Sequence, residues 1–168
     1  MINFKADVLP LKNRLYRLAL RITLHTGEAE DIVQETMIKV WAHRAELSGP
    51  QSAEAYSMTV CRNMALDYLA RKESRHAALD DAAHEQADNA ASPFQQMARQ
   101  DGLMWVGRLF DQLPEKQRTV MQLRDIEGKP YKEIAAILGI TEDQVKVTLF
   151  RARQRIKEQF EKISRYGL

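Results

Sequence analysis

The segment "YKEIAAILGITEDQVKVTLFRARQRI", residues 131–156, constrains the fold more tightly than any other part of the chain. Tyr131, Ile134, Ala135 and Leu138 recur at i, i+3, i+4 and i+7, which predicts a helix with one buried face. Ala135 is small where two helices would cross closely. Gly139 can take the left-handed conformation that ends a helix, with Ile140 packing back against it. Thr141 and Gln144 then form a T-x-x-Q capping box, and Glu142 and Asp143 fall at the positive end of the next helix. On that second helix, at about 100° per residue, Val145, Leu149, Ala152, Ile156, Phe160 and Ile163 share a stripe. The pattern is that of a helix-turn-helix.

The stripe leaves Lys146, Val147, Phe150, Arg151, Arg153, Gln154 and Lys157 facing outward, and every formal charge from Lys146 to Lys157 is positive. A helix in the major groove needs donors for guanine edges and phosphates and apolar groups for thymine methyls, and this set supplies both. A solvated basic face is the competing reading. It does not account for an aromatic side chain directed to solvent.

The remainder of the chain agrees with an all-helical protein. Seven Gly and five Pro among 168 residues are few, and 45% of the residues are hydrophobic, enough for one core or two small ones. Residues 1–75, 76–101 and 102–168 carry net charges of +2, −4 and +4, two mildly basic modules around an acidic middle. "HAALDDAAHEQADNAASP", residues 76–93, holds one large apolar residue, Leu79, and is expected to be a flexible acidic linker between domains at 1–75 and 94–168. Before it, helices are expected over residues 8–24, with Gly27 as the stop, over about Glu28 to Arg44, and over about Ala53 to Ser74. After it, one is expected from about Phe94 to Gln112, and another from Pro114 to near Gly128.

In the N-terminal module, Leu11, Leu15, Leu18 and Ile22 form the first apolar stripe. In "GEAEDIVQETMIKVWAHRAEL", Ala29, Val33, Thr36, Met37 and Val40 face inward, while Asp31, Gln34, Glu35, Ile38 and Ala42 line the other side. An isoleucine amid carboxylates and an amide suits protein docking, although single exposed apolar residues also occur without function. In "AEAYSMTVCRNMALDYLARKESR", Ser57, Cys61, Met64, Ala65 and Tyr68 face inward, and Tyr56, Thr59, Asn63 and Asp67 form the outer stripe. Basic residues flank that stripe, an arrangement compatible with stacking and edge bonding to unpaired bases or with an ordinary amphipathic helix.

Three motifs carry a family resemblance. "AEDIVQE" is similar to the region-two helix of bacterial sigma factors. Glu133-Ile134-Ala135, with Val145, Lys146 and Arg151-Ala152-Arg153, resembles region four, in particular that of the extracytoplasmic-function (ECF) class. The R-N-x-x-x-D-x-x-R pattern matches at Arg62, Asn63, Asp67 and, one position late, Arg71. The chain departs from the family pattern at Pro130, where many members place Ser or Thr, and at Tyr56-Ser57, where many carry Trp-Leu. The shared E-I-A pattern leaves a free-standing LuxR-like helix-turn-helix regulator as the alternative.

The resemblance implies that Asp31, Gln34, Glu35 and Ile38 dock on core RNA polymerase. It implies that Ser48, Gln51, Tyr56, Arg62, Asn63, Asp67 and Arg71 engage the melted non-template strand of the −10 element. Thr141, Gln144, Lys146, Val147, Phe150, Arg151 and Arg153 would then meet the −35 duplex, Arg153 through phosphate. An anti-sigma factor fits the same likeness, though no residue identifies one. No catalytic set, cofactor loop or metal-ligand spacing is found among His25, His43, His76, His84 and Cys61, so neither an enzyme nor a cofactor is expected. A single cysteine, the lack of a long apolar run and an unremarkable N-terminus predict a cytoplasmic protein without membrane insertion.

Overall fold

The computed structural model describes residues 2–78 and 104–165, with side chains over 2–76 and 107–165. Among these residues every regular element is helical, and the chain divides into two compact units. The first is built on α1 (Lys12–Thr23), α2 (Thr26–Ala42) and α3 (Pro50–Ala78). The second holds α4 (Met104–Asp111), α5 (Glu115–Met121), α6 (Tyr131–Leu138) as far as Ala135, and α7 (Glu142–Arg165).

In the first unit each of the three helices packs on the other two. Leu11, Leu15, Leu18 and Ile22 are all buried, as their spacing predicts, and Ala29, Val33, Thr36 and Val40 meet them from α2. Met37 is only half-buried, and Ile32, outside the predicted stripe, is buried in its place. From α3, Ser57, Met58, Cys61, Ala65 and Tyr68 complete the core. Buried hydroxyls are satisfied within their own helices. Thr23, Thr36 and Ser57 donate to the carbonyls of Ala19, Ile32 and Ala53 at 2.8, 2.7 and 2.6 Å.

The first helix ends where expected, but not through a glycine. Leu24, not Gly27, takes the left-handed conformation, at φ 58°, and its N–H bonds the Leu20 carbonyl at 2.8 Å. A β-carbon makes that conformation costly, by about 1 kcal/mol or more. The turn is then closed by His25, whose Nδ1 accepts the Glu28 N–H at 3.0 Å and caps α2. A β-carbon at Gly27 would stand 3.3 Å from the His25 ring, so the glycine serves the cap.

The other boundaries also shift. A π-helical turn (Phe4–Val8) and a 3-10 turn (Leu9–Leu11) replace the expected start of the first helix. Pro50 opens α3, three residues before the predicted start, since a first-turn proline sacrifices no helical bond. α3 continues to Ala78, so residues 76–78 of the expected linker are helical, whereas 79–93 lie outside the described residues. The predicted helix from Phe94 is described only from Met104.

In the second unit α4 and α5 pack on α7, with Leu109, Phe110, Val120, Leu123, Ile134, Val145, Leu149 and Ala152 buried. Arg118, also buried, donates through Nη1 to the Leu113 carbonyl at 2.7 Å and ties the α4–α5 corner. A π-helical turn (Gln122–Ile126) follows α5, and Gly128, at φ 71°, closes it.

Cys61 sits wholly inside the first unit, with Sγ donating to the Leu15 carbonyl at 3.4 Å. Burial pushes its thiol up to about 12. An unfolded chain ionises its thiol near pH 8.5, about its ordinary value. The folded chain keeps that proton longer, so the stabilisation is complete below that pH and is lost as pH rises toward the folded value. Two outcomes are expected: iodoacetamide modifies Cys61 only as fast as the chain unfolds, and urea stability falls more steeply above pH 8.5 in the natural chain than in Cys61→Ala.

Candidate functional site

The recognition-type helix is α7, and its entry geometry follows from five residues. Gly139 adopts φ 68°, and the N–H of Ile140 returns to the Ala135 carbonyl at 3.1 Å, closing α6. Thr141 N–H donates to Gln144 Oε1 at 2.9 Å, and Gln144 N–H to Thr141 Oγ1 at 3.1 Å. Both halves of the capping box form. Thr141 and Gln144 are thereby committed to the helix start, although both remain exposed. Pro130 stands at the N-cap of α6 rather than in its first turn, and no side chain caps that end.

With Val145, Leu149 and Ala152 buried, the solvent side of α7 is centred on Val147, Phe150, Arg151 and Gln154. Phe150 is 68% exposed and Val147 46%, an aromatic and an aliphatic group side by side on a basic surface. The inward stripe does not persist as predicted: Ile156 is half-buried and Phe160 is 53% exposed, so the buried part of the helix ends at Ala152.

Two predicted DNA-facing cations lie on one flank of this face. Lys146 places Nζ 5.6 Å from the Tyr131 ring centroid. Arg153 is engaged within the domain: Nε donates to Asp125 Oδ2 at 3.2 Å, and Nη2 bonds Asp125 Oδ1. The expectation of an outward phosphate donor did not anticipate this pair. Asp125 lies 28 residues away, and no local pattern announces it.

On the first unit Asp31, Gln34, Glu35 and Ile38 are all exposed along α2, Ile38 to 62%. Asp31, Ile32 and Glu35 face Met64, Asp67 and Arg71 of α3 across a cleft of about 600 Å³. The structure thus brings together residues that the sequence reading had split between two surfaces. Trp41 was missed altogether, though it follows Ile38 by three positions on the same side of α2. It is 50% exposed, with Phe4 edge-on at 5.2 Å and the Arg44 guanidinium 3.8 Å above its ring.

Of the −10 candidates, Ser48, Gln51, Asn63, Asp67 and Arg71 are exposed. Tyr56 is not the outward aromatic that the pattern implied. It is half-buried against the cluster of Val8, Val40, Leu47 and Ala53, with its ring 5.8 Å from that of His43. The amino-terminal turns, which the periodicity did not reveal, supply part of that cover. Arg62 is half-buried and lies off the stripe of Asn63 and Asp67.

The family model for sigma-70 region 2 matches residues 8–75, and that for sigma-70 region 4 matches residues 103–156. The ECF RNA polymerase sigma factor SigM of Bacillus subtilis is 30% identical over 146 residues, covering 86% of this chain and 87% of that protein. This chain belongs to the ECF sigma factors. The region 2 match over the N-terminal half removes the LuxR-like alternative. A probable RNA polymerase sigma factor, RfaY, of Xanthomonas campestris is 28% identical over 153 residues; these cover 88% of this chain but only 38% of that longer protein. Among solved structures, the sigma factor RpoE in complex with the anti-sigma factor NepR from Bartonella quintana shares the fold, with a TM-score of 0.69 and 23% identity. That likeness covers 94% of this chain and 96% of RpoE. None of the described helices is long and apolar enough to cross a membrane.

The contrast between adjacent residues of α7 separates stability from surface. Leu149→Ala is expected to cost about 2–5 kcal/mol by opening a cavity, and Thr141→Ala about 1 kcal/mol through the cap. Phe150→Ala is expected to stay within about 0.5 kcal/mol of the parent in urea titrations.

Proposed function

We propose that this ECF sigma factor directs core RNA polymerase to promoters through three surfaces on its two units. The exposed α2 side of Asp31, Gln34, Glu35 and Ile38 docks on the polymerase, with Trp41 extending it. The exposed Ser48, Gln51, Asn63, Asp67 and Arg71 engage unpaired bases of the −10 element, with Tyr56 and Arg62 at the margin. The α7 side of Val147, Phe150, Arg151 and Gln154 reads the −35 duplex in the major groove. Lys146 serves it from the flank, and Thr141 and Gln144 serve it from the helix start.

The observation that carries this reading is Phe150, an aromatic side chain 68% exposed on a basic helix whose entry is tightly capped. Leaving such a ring in water is unfavourable unless a partner covers it, and a thymine methyl beside phosphates suits both ring and charge. Each contact alone is weak. Holding both DNA surfaces on one polymerase converts the second binding event into an intramolecular one, with a large gain in effective concentration.

No chemical step is assigned to the chain. Strand separation draws on binding: unstacked bases captured by side chains offset a melting cost of about a few kcal/mol per base. The reading places the protein in the cytoplasm with the polymerase. It also admits an anti-sigma partner, since RpoE, which shares the fold, was solved with one.

Reconstituted transcription tests the whole reading. The chain is expected to associate with core polymerase and to initiate selectively on a subset of genomic promoters; failure to associate, with DNA binding intact, would sink it. Ile38→Ala is expected to weaken association with core polymerase by about tenfold, measured by fluorescence anisotropy, with DNA contacts unaltered. Arg151→Ala is expected to cost about 1–3 kcal/mol on the preferred −35 sequence and less on a scrambled one.

A further inference from the structure

We propose that Arg153 is a positioning residue which, held by Asp125, sets the rotation of α7, and that it is not a phosphate ligand. The proposal rests on the reading of α7 as the −35 helix. It begins from the position of Arg153 on that helix. Relative to the buried stripe of Val145, Leu149 and Ala152, Arg153 and Lys146 share one flank, two turns apart, rather than the centre of the solvent side.

One of these two cations, Arg153, is held by the turn that precedes the helix-turn-helix. Asp125 takes Arg153 with both carboxylate oxygens. Its neighbour Arg124 lies 4.3 Å from the Tyr131 ring centroid, on the same ring that Lys146 approaches at 5.6 Å. Arg124 is itself fixed, since its Nη1 donates to the Lys129 carbonyl at 2.9 Å. The turn therefore holds α7 directly at Arg153, and Arg124 fixes the Tyr131 ring beside which Lys146 lies.

The Arg153–Asp125 pair adds a directional restraint on rotation about the helix axis to the packing of the apolar stripe. A planar guanidinium paired with both oxygens of a carboxylate is directional, whereas dispersion contacts are not. The lever is sizeable. Turning a helix by about 20° moves a side-chain tip at about 6 Å radius by about 2 Å, enough to lose a bidentate base contact. Phe150 and Arg151 stand within one turn of Arg153 and would be displaced directly.

The two roles for Arg153 make opposite forecasts for Asp125. If the guanidinium were a phosphate donor, Asp125 would compete with DNA for it, and Asp125→Asn would strengthen binding. If the pair orients the helix, Asp125→Asn weakens discrimination as much as Arg153→Ala does.

The test uses holoenzyme assembled from core polymerase and the full chain, binding promoter fragments with an intact or a scrambled −35 element across a series of KCl concentrations. The ratio of the two affinities is read because a loss of folded protein alone cancels from it. Asp125→Asn and Arg153→Ala are each expected to lower that ratio by about fivefold, the double variant no further, and the salt slope stays unchanged. Three results would overturn the proposal: a salt slope reduced by about one in Arg153→Ala with equal losses on both fragments, tighter binding by Asp125→Asn, or an unchanged ratio in both variants. Arg151→Ala runs in parallel. If it too leaves the ratio unchanged, the −35 reading of α7 falls together with the proposal; if it lowers the ratio, the reading survives and only the role of Arg153 is decided.

Discussion

The reciprocal cap between Thr141 and Gln144, together with the left-handed Gly139, sets the direction in which α7 leaves α6. Everything outward on α7 inherits that direction. The buried residues of this 24-residue helix, Val145, Leu149 and Ala152, all lie in its first half, so its orientation cannot come from burial over its whole length. It has to come from its first turn and from a few lateral attachments. Val145, Leu149 and Ala152 supply a short apolar seat, and Asp125 and Tyr131 supply the lateral ones. An entry turn with little freedom is therefore a condition for a surface that must match a groove.

The first unit solves a different problem with different means. Its three helices approach closely because small or hydroxyl-bearing residues, among them Ala29, Thr36, Ser57 and Ala65, stand where they cross. The hydroxyls bring no unsatisfied polarity, since each returns its proton to a carbonyl of its own helix. With that seam closed, the carboxylates and the isoleucine of α2 are left outward. The same packing places Asp31 and Glu35 across one cleft from Asp67 and Arg71, so the proposed docking and −10 surfaces adjoin.

Periodicity made the cores legible in the sequence. Leu11, Leu15, Leu18 and Ile22, and likewise Val145 and Leu149, are decided by neighbours three or four residues away, and the capping box is decided within four. What escaped was non-local. The half-burial of Tyr56 depends on Val8 and Leu47, which reach it from separate segments, and the partner of Arg153 comes from an earlier turn. The left-handed cap at Leu24 escaped for another reason: leucine carries no preference for that conformation, so nothing in its identity marks the position. Ile38 and Phe150 were visible because they broke a polar face, whereas Trp41 was hidden among apolar and basic neighbours that suggested no face at all.

The placement of Cys61 bears on how such a protein can be controlled. It is the chain's one thiol, and it is enclosed by the three-helix core with its proton firmly held. Oxidants and electrophiles reach a thiol through its ionised, accessible form, which this core withholds. Cysteine chemistry is thus no switch for the folded protein.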